Sequence, residues 1–194
     1  MKFVDLEFNT TLEIKKSKFI THLCPYNKFD EVMERLKKEH PKARHFVYAY
    51  RYLNEFEQVV ENSSDDGEPK GTSGRPSLSV LSGACFINTA VIIVRYFGGV
   101  RLGTGGLVRA YSEAVNLSIQ NATSKEFVKQ ETKKLTVTYS QFSQIEYLLD
   151  KYNIHIKNKE FQDTIVLFLE GTSSSFIEFS KELFLDNILE DIEV

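Results

Sequence analysis

The chain has 194 residues, 42% of them hydrophobic and 26% charged, with a net charge of −3; this is the balance of a globular protein long enough for one large domain or two small ones. No window approaches the roughly 20 apolar residues of a membrane-spanning helix, and residues 1–10 hold no apolar run behind Lys2 to act as an export signal, so a soluble cytoplasmic protein with no membrane partner is expected. The two cysteines, Cys24 and Cys85, stand without a second Cys or a His at ligand spacing, which excludes a disulfide scaffold and a zinc ribbon.

In chain order, residues 3–8 and 16–23 read as strands. An amphipathic helix follows with Phe29, Val32, Met33 and Leu36 on one face, and Pro41 lies beyond its end. Residues 46–52 alternate, with Phe46, Tyr48, Tyr50 and Tyr52 on one side and Val47, Ala49 and Arg51 on the other, the period of a strand. The polar, turn-rich residues 62–75 predict a surface loop, after which Pro76 suits the first turn of a short helix running towards Cys85. Residues 91–94 read as a buried strand that ends at a glycine loop. From Gly106 the period is helical: Leu107, Ala110, Tyr111, Ala114 and Leu117 form an apolar stripe opposite Arg109, Glu113, Asn116 and Gln120.

Residues 123–130 are polar, the composition of a linker. Beyond them come a strand with Leu135, Val137 and Tyr139 and a helix with Ile145, Leu148, Leu149 and Tyr152. Strands at 154–161 and 165–169, a helix with Phe176, Phe179 and Leu183, and a last strand near 188–194 complete the order βαββαβ, that of a ferredoxin-like unit. The fold class is therefore α+β, in two domains, 1–128 and 129–194.

Charge is unevenly spread. Residues 141–194 hold eleven acids and four bases, a net of −7, which leaves +4 for residues 1–140. Residues 69–112 contain Lys70, Arg75, Arg95, Arg101 and Arg109 and no acid, and nine of the ten glycines fall in residues 67–106. The run Gly98, Gly99, Val100, Arg101, Leu102, Gly103, Thr104, Gly105, Gly106 leads into a helix, whose unpaired N–H groups and positive dipole end favour an anion. It is not a nucleotide loop of either common kind. Gly98 and Gly103 have the spacing of a P-loop but Thr104 follows where Lys is needed, and the third glycine of a dinucleotide fingerprint is replaced by Val108. Two readings remain open: an anion cradle flanked by Arg75, Arg95, Arg101, Arg109 and Lys70, or glycines used for tight turns and close packing.

Asp65, Asp66 and Glu68, three carboxylates within four positions, offer a divalent-metal or acid–base site with His45; in a glycine- and serine-rich loop, turn formation and solvated charge is the favoured reading. No nucleophile elbow occurs, and His22, His40, His45 and His155 show no paired spacing, so neither a catalytic set nor a cofactor is expected. The aromatic face of residues 46–52 is read as core ahead of a base-stacking surface.

Residues 65–69 (Asp-Asp-Gly-Glu-Pro), 71–76 (Gly-Thr-Ser-Gly-Arg-Pro), 94–99 (Val-Arg-Tyr-Phe-Gly-Gly) and 102–111 (Leu-Gly-Thr-Gly-Gly-Leu-Val-Arg-Ala-Tyr) resemble the signature of the bacterial YigZ family, whose first domain is shared with eukaryotic IMPACT. The resemblance covers most of residues 10–115. It implies a first domain with the two-layer α/β fold of the second domain of a small-subunit ribosomal protein and a ferredoxin-like second domain, the pair looking like consecutive carboxy-terminal domains of elongation factor G. It also implies a role in translational control, as in the eukaryotic members. The expected partner is thus the ribosome or other RNA, bound through Arg75, Arg95, Arg101, Arg109, Lys70 and the backbone of Gly103, Thr104, Gly105 and Gly106, or an acidic protein meeting the same arginines. The alternative is a metal-dependent hydrolase using Asp65, Asp66, Glu68 and His45 on a small phosphorylated or peptidic substrate.

Overall fold

The β-branched and aromatic runs of the first two thirds of the chain associate into one antiparallel sheet. In this computed structural model, which describes residues 1–183 and 189–191, the first compact unit is Met1–Phe127 and the second Val128–Val194. The first contains β1 (Lys2–Phe3), β2 (Phe8–Ile14), β3 (Ser17–Pro25), α1 (Phe29–Glu39), β4 (His45–Leu53), β5 (Val59–Ser64), α2 (Gly74–Gly83), β6 (Thr89–Tyr96), α3 (Thr104–Asn121) and β7 (Lys125–Glu126). The sheet order is β2-β3-β6-β4-β5, and β1 pairs with β7 near the two ends of the unit.

Strand β6 is central and buried from Thr89 to Arg95. Its continuous apolar run, in place of alternation, reflects cover on both faces. Val91 and Ile93 share a core with Phe19, Leu23, Val47, Leu81 and Tyr111, beneath α2 and α3, whereas Ala90, Ile92 and Val94 pack with Val32, Met33 and Leu36 of α1. The expected α/β unit is present, and α1 adds a layer on its second face. The aromatic side of β4 lies towards α1: Phe29 meets Tyr48 and Tyr50 at 5.1 and 5.3 Å between ring centres, and Tyr26 stacks on Tyr52 at 4.0 Å. These half-buried rings supply core area.

Several boundaries differ from the sequence reading. The strand expected at 3–8 is absent over residues 4–7 and runs instead over Phe8–Ile14 as β2, and Tyr139, expected on a strand, opens the helix Tyr139–Lys151. The surface loop expected at 62–75 contracts to residues 65–73, because Asn62, Ser63 and Ser64 pair with Tyr50, Ala49 and Tyr48 as the end of β5 and α2 begins at Gly74. It is also partly interior, with Glu68, Thr72, Ser73 and Gly74 buried; a polar loop tolerates this only when its own groups satisfy one another. The third helix starts at Thr104, two residues before the expected Gly106, since Gly103 takes φ 72°, ψ 166° and its carbonyl already accepts from Leu107 N at 2.9 Å.

The second unit contains β8 (Glu131–Val137), α4 (Tyr139–Lys151), β9 (His155–Phe161), β10 (Ile165–Gly171), α5 (Ser173–Ser180) and β11 (Leu189–Asp191). Its order β11-β8-β10-β9, antiparallel throughout, is the ferredoxin-like arrangement. Thr138 and Gln141 close a capping box at the start of α4. Alternate residues Ile165, Leu167 and Leu169 face Ile145, Leu148, Phe176 and Phe179 in one core. Of the last strand expected at 188–194, Leu189–Asp191 is seen; Ile188 and residues 192–194 lie outside the described residues. Among the described residues no helix is long and apolar enough to cross a membrane.

Candidate anion-binding face of the first unit

The loop 65–73 is organised by its acids. Asp65 Oδ1 accepts from Ser73 N (3.1 Å), Ser73 Oγ (2.7 Å) and Gly74 N (2.8 Å), and Oδ2 accepts from Gly71 N (2.7 Å). The carboxylate therefore caps the amino end of α2, where unpaired N–H groups and the dipole favour negative charge. Burial acts to raise its pKa, but the hydrogen bonds from Gly71, Ser73 and Gly74 outweigh burial and hold the carboxyl below the usual range. Asp66 and Gly67 turn the chain at φ 42° and 84°. Asp66 Oδ2 accepts from Phe46 N at 2.5 Å, and its carbonyl accepts from His45 Nδ1 at 2.8 Å, so the His45 proton sits on Nδ1 and Nε2 is left as the nitrogen open to another partner.

Glu68 goes inward. Its Oε1 receives both Arg95 Nη1 and the Tyr111 hydroxyl, the latter at 2.8 Å. Arg95 is 6% exposed, and its guanidinium carbon lies 5.5 Å from the ring centre of Phe19 and 5.9 Å from that of Phe97. Burial, then the charge of Glu68 and its hydrogen bond, push the Tyr111 phenol upward, so it stays a donor. The trio ties the loop to β6 and α3. One expectation, the free Arg95, is corrected here, and the metal-site alternative finds no converging ligands. Arg95 is not a free cation on the anion face, because a charge so deeply buried needs a counter-charge and Glu68 supplies it. Asp65, Asp66 and Glu68 do not converge on an ion: one caps α2, one holds the β4 backbone and one neutralises Arg95. Among the described residues no group of three His, Cys, Asp or Glu side chains is placed to hold a metal.

The glycines divide between the two readings left open. A Cβ on Gly98 would stand 2.0 Å from Lys16 C and 2.2 Å from Ser17 N, and Gly98 N donates to Ser17 Oγ at 3.1 Å. Gly98 is thus a packing glycine that lets the β2–β3 turn, with Lys15 and Lys16 at φ 47° and 64°, close against the loop. In front of Gly103 and Gly105 there is open space to 4 Å, and Gly105 and Gly106 fall in the first turn of α3.

Lys70, Arg75, Arg101, Thr104 and Arg109 are exposed, and among the described residues none of the four cations has an ion pair. Arg75 joins Gly71, Val108 and Ser112 around a depression of about 450 Å³ between α2 and α3. Arg101, Gly103 and Thr104 line a cleft of about 350 Å³ with Arg95 at one side. A second cleft, of about 570 Å³, is lined by Lys42, Arg44, His45, Arg95, Tyr96 and Phe97. Sequence reasoning missed Lys15, Lys16, Lys42 and Arg44, which lie outside the acid-free span; only the antiparallel pairing of His45 with Arg95 and of Lys18 with Tyr96 brings them to the same edge.

Fold and site together define a two-unit α+β protein whose first unit carries a basic, glycine-lined face. The Impact N-terminal domain family matches residues 15–119, and a domain of unknown function (DUF1949) matches residues 135–183. An IMPACT family member of Haemophilus influenzae is 40% identical over 175 residues, covering 88% of this chain and 84% of that protein. The IMPACT family member YigZ of Escherichia coli is 36% identical over 174 residues, covering 88% and 85%. The crystal structure of a hypothetical protein aligns with a TM-score of 0.68 at 33% identity over 99% of this chain and 97% of that one. The chain belongs to the IMPACT family.

Proposed function

We propose that the protein is a translation-associated factor that binds RNA through the basic face of its first unit. The observation that carries the reading is the state of the charges. Lys70, Arg75, Arg101 and Arg109 are exposed without ion pairs among the described residues, while the nearby acids Asp65 and Glu68 are engaged internally. A surface whose exposed cations are unpaired, while Asp65 and Asp66 are held in hydrogen bonds and Glu68 is paired with Arg95, attracts phosphate at long range. The open amino end of α3 at Gly103 and Gly105 adds backbone donors. The likeness to the YigZ and IMPACT proteins supports the association with translation, and the choice of RNA as the ligand rests on the charges.

The test is co-sedimentation with purified ribosomal subunits over a salt series, with Arg101→Glu/Arg109→Glu as the comparison. Four cations on phosphate give a slope of log K against log salt of roughly −3. Wild type should pellet at low salt with about that slope, and the folded double variant should stay in the supernatant. Pelleting that survives both the double variant and RNase digestion would overturn the reading in favour of a protein partner.

A further inference from the structure

We propose that the face takes a single-stranded segment of RNA and holds one of its bases on Phe97; this deepens the reading above and rests on it. Phe97 follows β6 and is 57% exposed, close in sequence to exposed Val100 and exposed Arg101. It is held from beneath by the buried Arg95, which Glu68 fixes in turn, so the ring stands on a braced support and loses little freedom on binding.

Two clefts meet at this ring. On one side are Lys42 and Arg44 with Tyr96, in a space of about 570 Å³. On the other are Arg101 and Thr104 at the amino end of α3, in a space of about 350 Å³. Arg95 and Phe97 line both. Buried Arg95 also keeps its Nε without a partner, a donor still unsatisfied between the two. Lys42, Arg44 and Arg101 are exposed and have no ion pair among the described residues. The order is cation, ring, cation. A single strand has the matching order of phosphate, base, phosphate, and its unstacked base has a free planar face for an aromatic side chain. In a duplex that face is occupied by neighbouring bases, and an acidic peptide would answer the cations but give the ring no planar partner.

The sequence has no tryptophan, so Phe97→Trp installs a sole indole where the base is expected. The whole 194-residue chain is titrated with a single-stranded oligouridylate, the same oligonucleotide in duplex form, polyphosphate, and an oligoglutamate peptide, reading both anisotropy of labelled ligand and indole emission. Single-stranded RNA should bind and quench the indole along the same isotherm, and polyphosphate should bind without quenching. Phe97→Ala should weaken single-strand binding roughly 5- to 150-fold, the range for loss of one stacked base, leave polyphosphate binding unchanged, and be rescued by Phe97→Tyr. RNA binding without quenching, with Phe97→Ala equal to wild type, would overturn this inference and leave the basic-face reading standing. Binding of duplex as tight as single strand would also overturn it. Failure of every RNA to bind, with or without capture of oligoglutamate, would overturn both.

Discussion

Replacing Glu68 by alanine tests the central element of the face, the buried ion pair that braces loop, strand and helix. The substitution removes the one carboxylate oxygen that receives both Arg95 Nη1 and the Tyr111 hydroxyl. It leaves a guanidinium that is 6% exposed with no counter-charge. Breaking a buried pair from one side costs about 3–5 kcal/mol, and the orphaned phenol adds part of the roughly 1–3 kcal/mol of an unsatisfied buried group. For a unit of this size each kcal/mol moves the melting temperature by about 3–5 °C, so a fall of roughly 10–30 °C is expected. Calorimetry of the 194-residue chain reads it.

Glu68→Gln keeps an acceptor for both donors but not the counter-charge, so its loss should be smaller than that of Glu68→Ala by the hydrogen-bond part alone, about 1–2 kcal/mol. Glu68→Leu combined with Arg95→Met removes the stranded charge and should recover part of the loss. The reasoning is refuted if Glu68→Ala melts within about 2 °C of wild type, because Arg95 would then leave the interior at little cost and the ring of Phe97 would have no fixed support.

Asp65→Asn should destabilise the protein at pH 7 by roughly 1–2 kcal/mol through the cap of α2. Because the folded carboxyl lies below its ordinary value, the wild-type advantage is full above about pH 4 and is lost as pH falls through the lower folded value; urea denaturation should show the two proteins converging in acid, and a constant gap refutes the assignment. Two glycine substitutions should part in effect. Gly98→Ala drives a Cβ to 2.0 Å from Lys16 C, so the folded protein should lose stability and the presentation of Lys15, Lys16 and Arg101 together. Gly105→Ala meets open space and should raise helix stability by up to about 1 kcal/mol while weakening RNA binding. A Gly105→Ala protein that binds as wild type would remove the amino end of α3 from the binding surface.

The sequence by itself determined most of the helices and the central strands, but not β2 or β5. The alternation of residues 46–52, the apolar stripe of Leu107, Ala110, Tyr111 and Ala114, and the βαββαβ order after residue 130 depend on local periodicity, which a linear reading captures. So did the acid-free span of residues 69–112, since composition needs no coordinates. Which of those charges are available was decided only by tertiary structure. Arg95 and Arg101 read alike in the sequence, yet one lies beneath Phe97 on Glu68 and the other is exposed at a cleft. Asp65 and Glu68 read as one acidic cluster, yet they point to a helix end and to a buried guanidinium. Their partners are 6 to 43 residues away along the chain, and the edge holding Lys42, Arg44 and Phe97 forms only when β4 pairs with β6. Burial of a charge depends on what the fold lays over it, and pairing across a sheet leaves no local period for a sequence reading to detect.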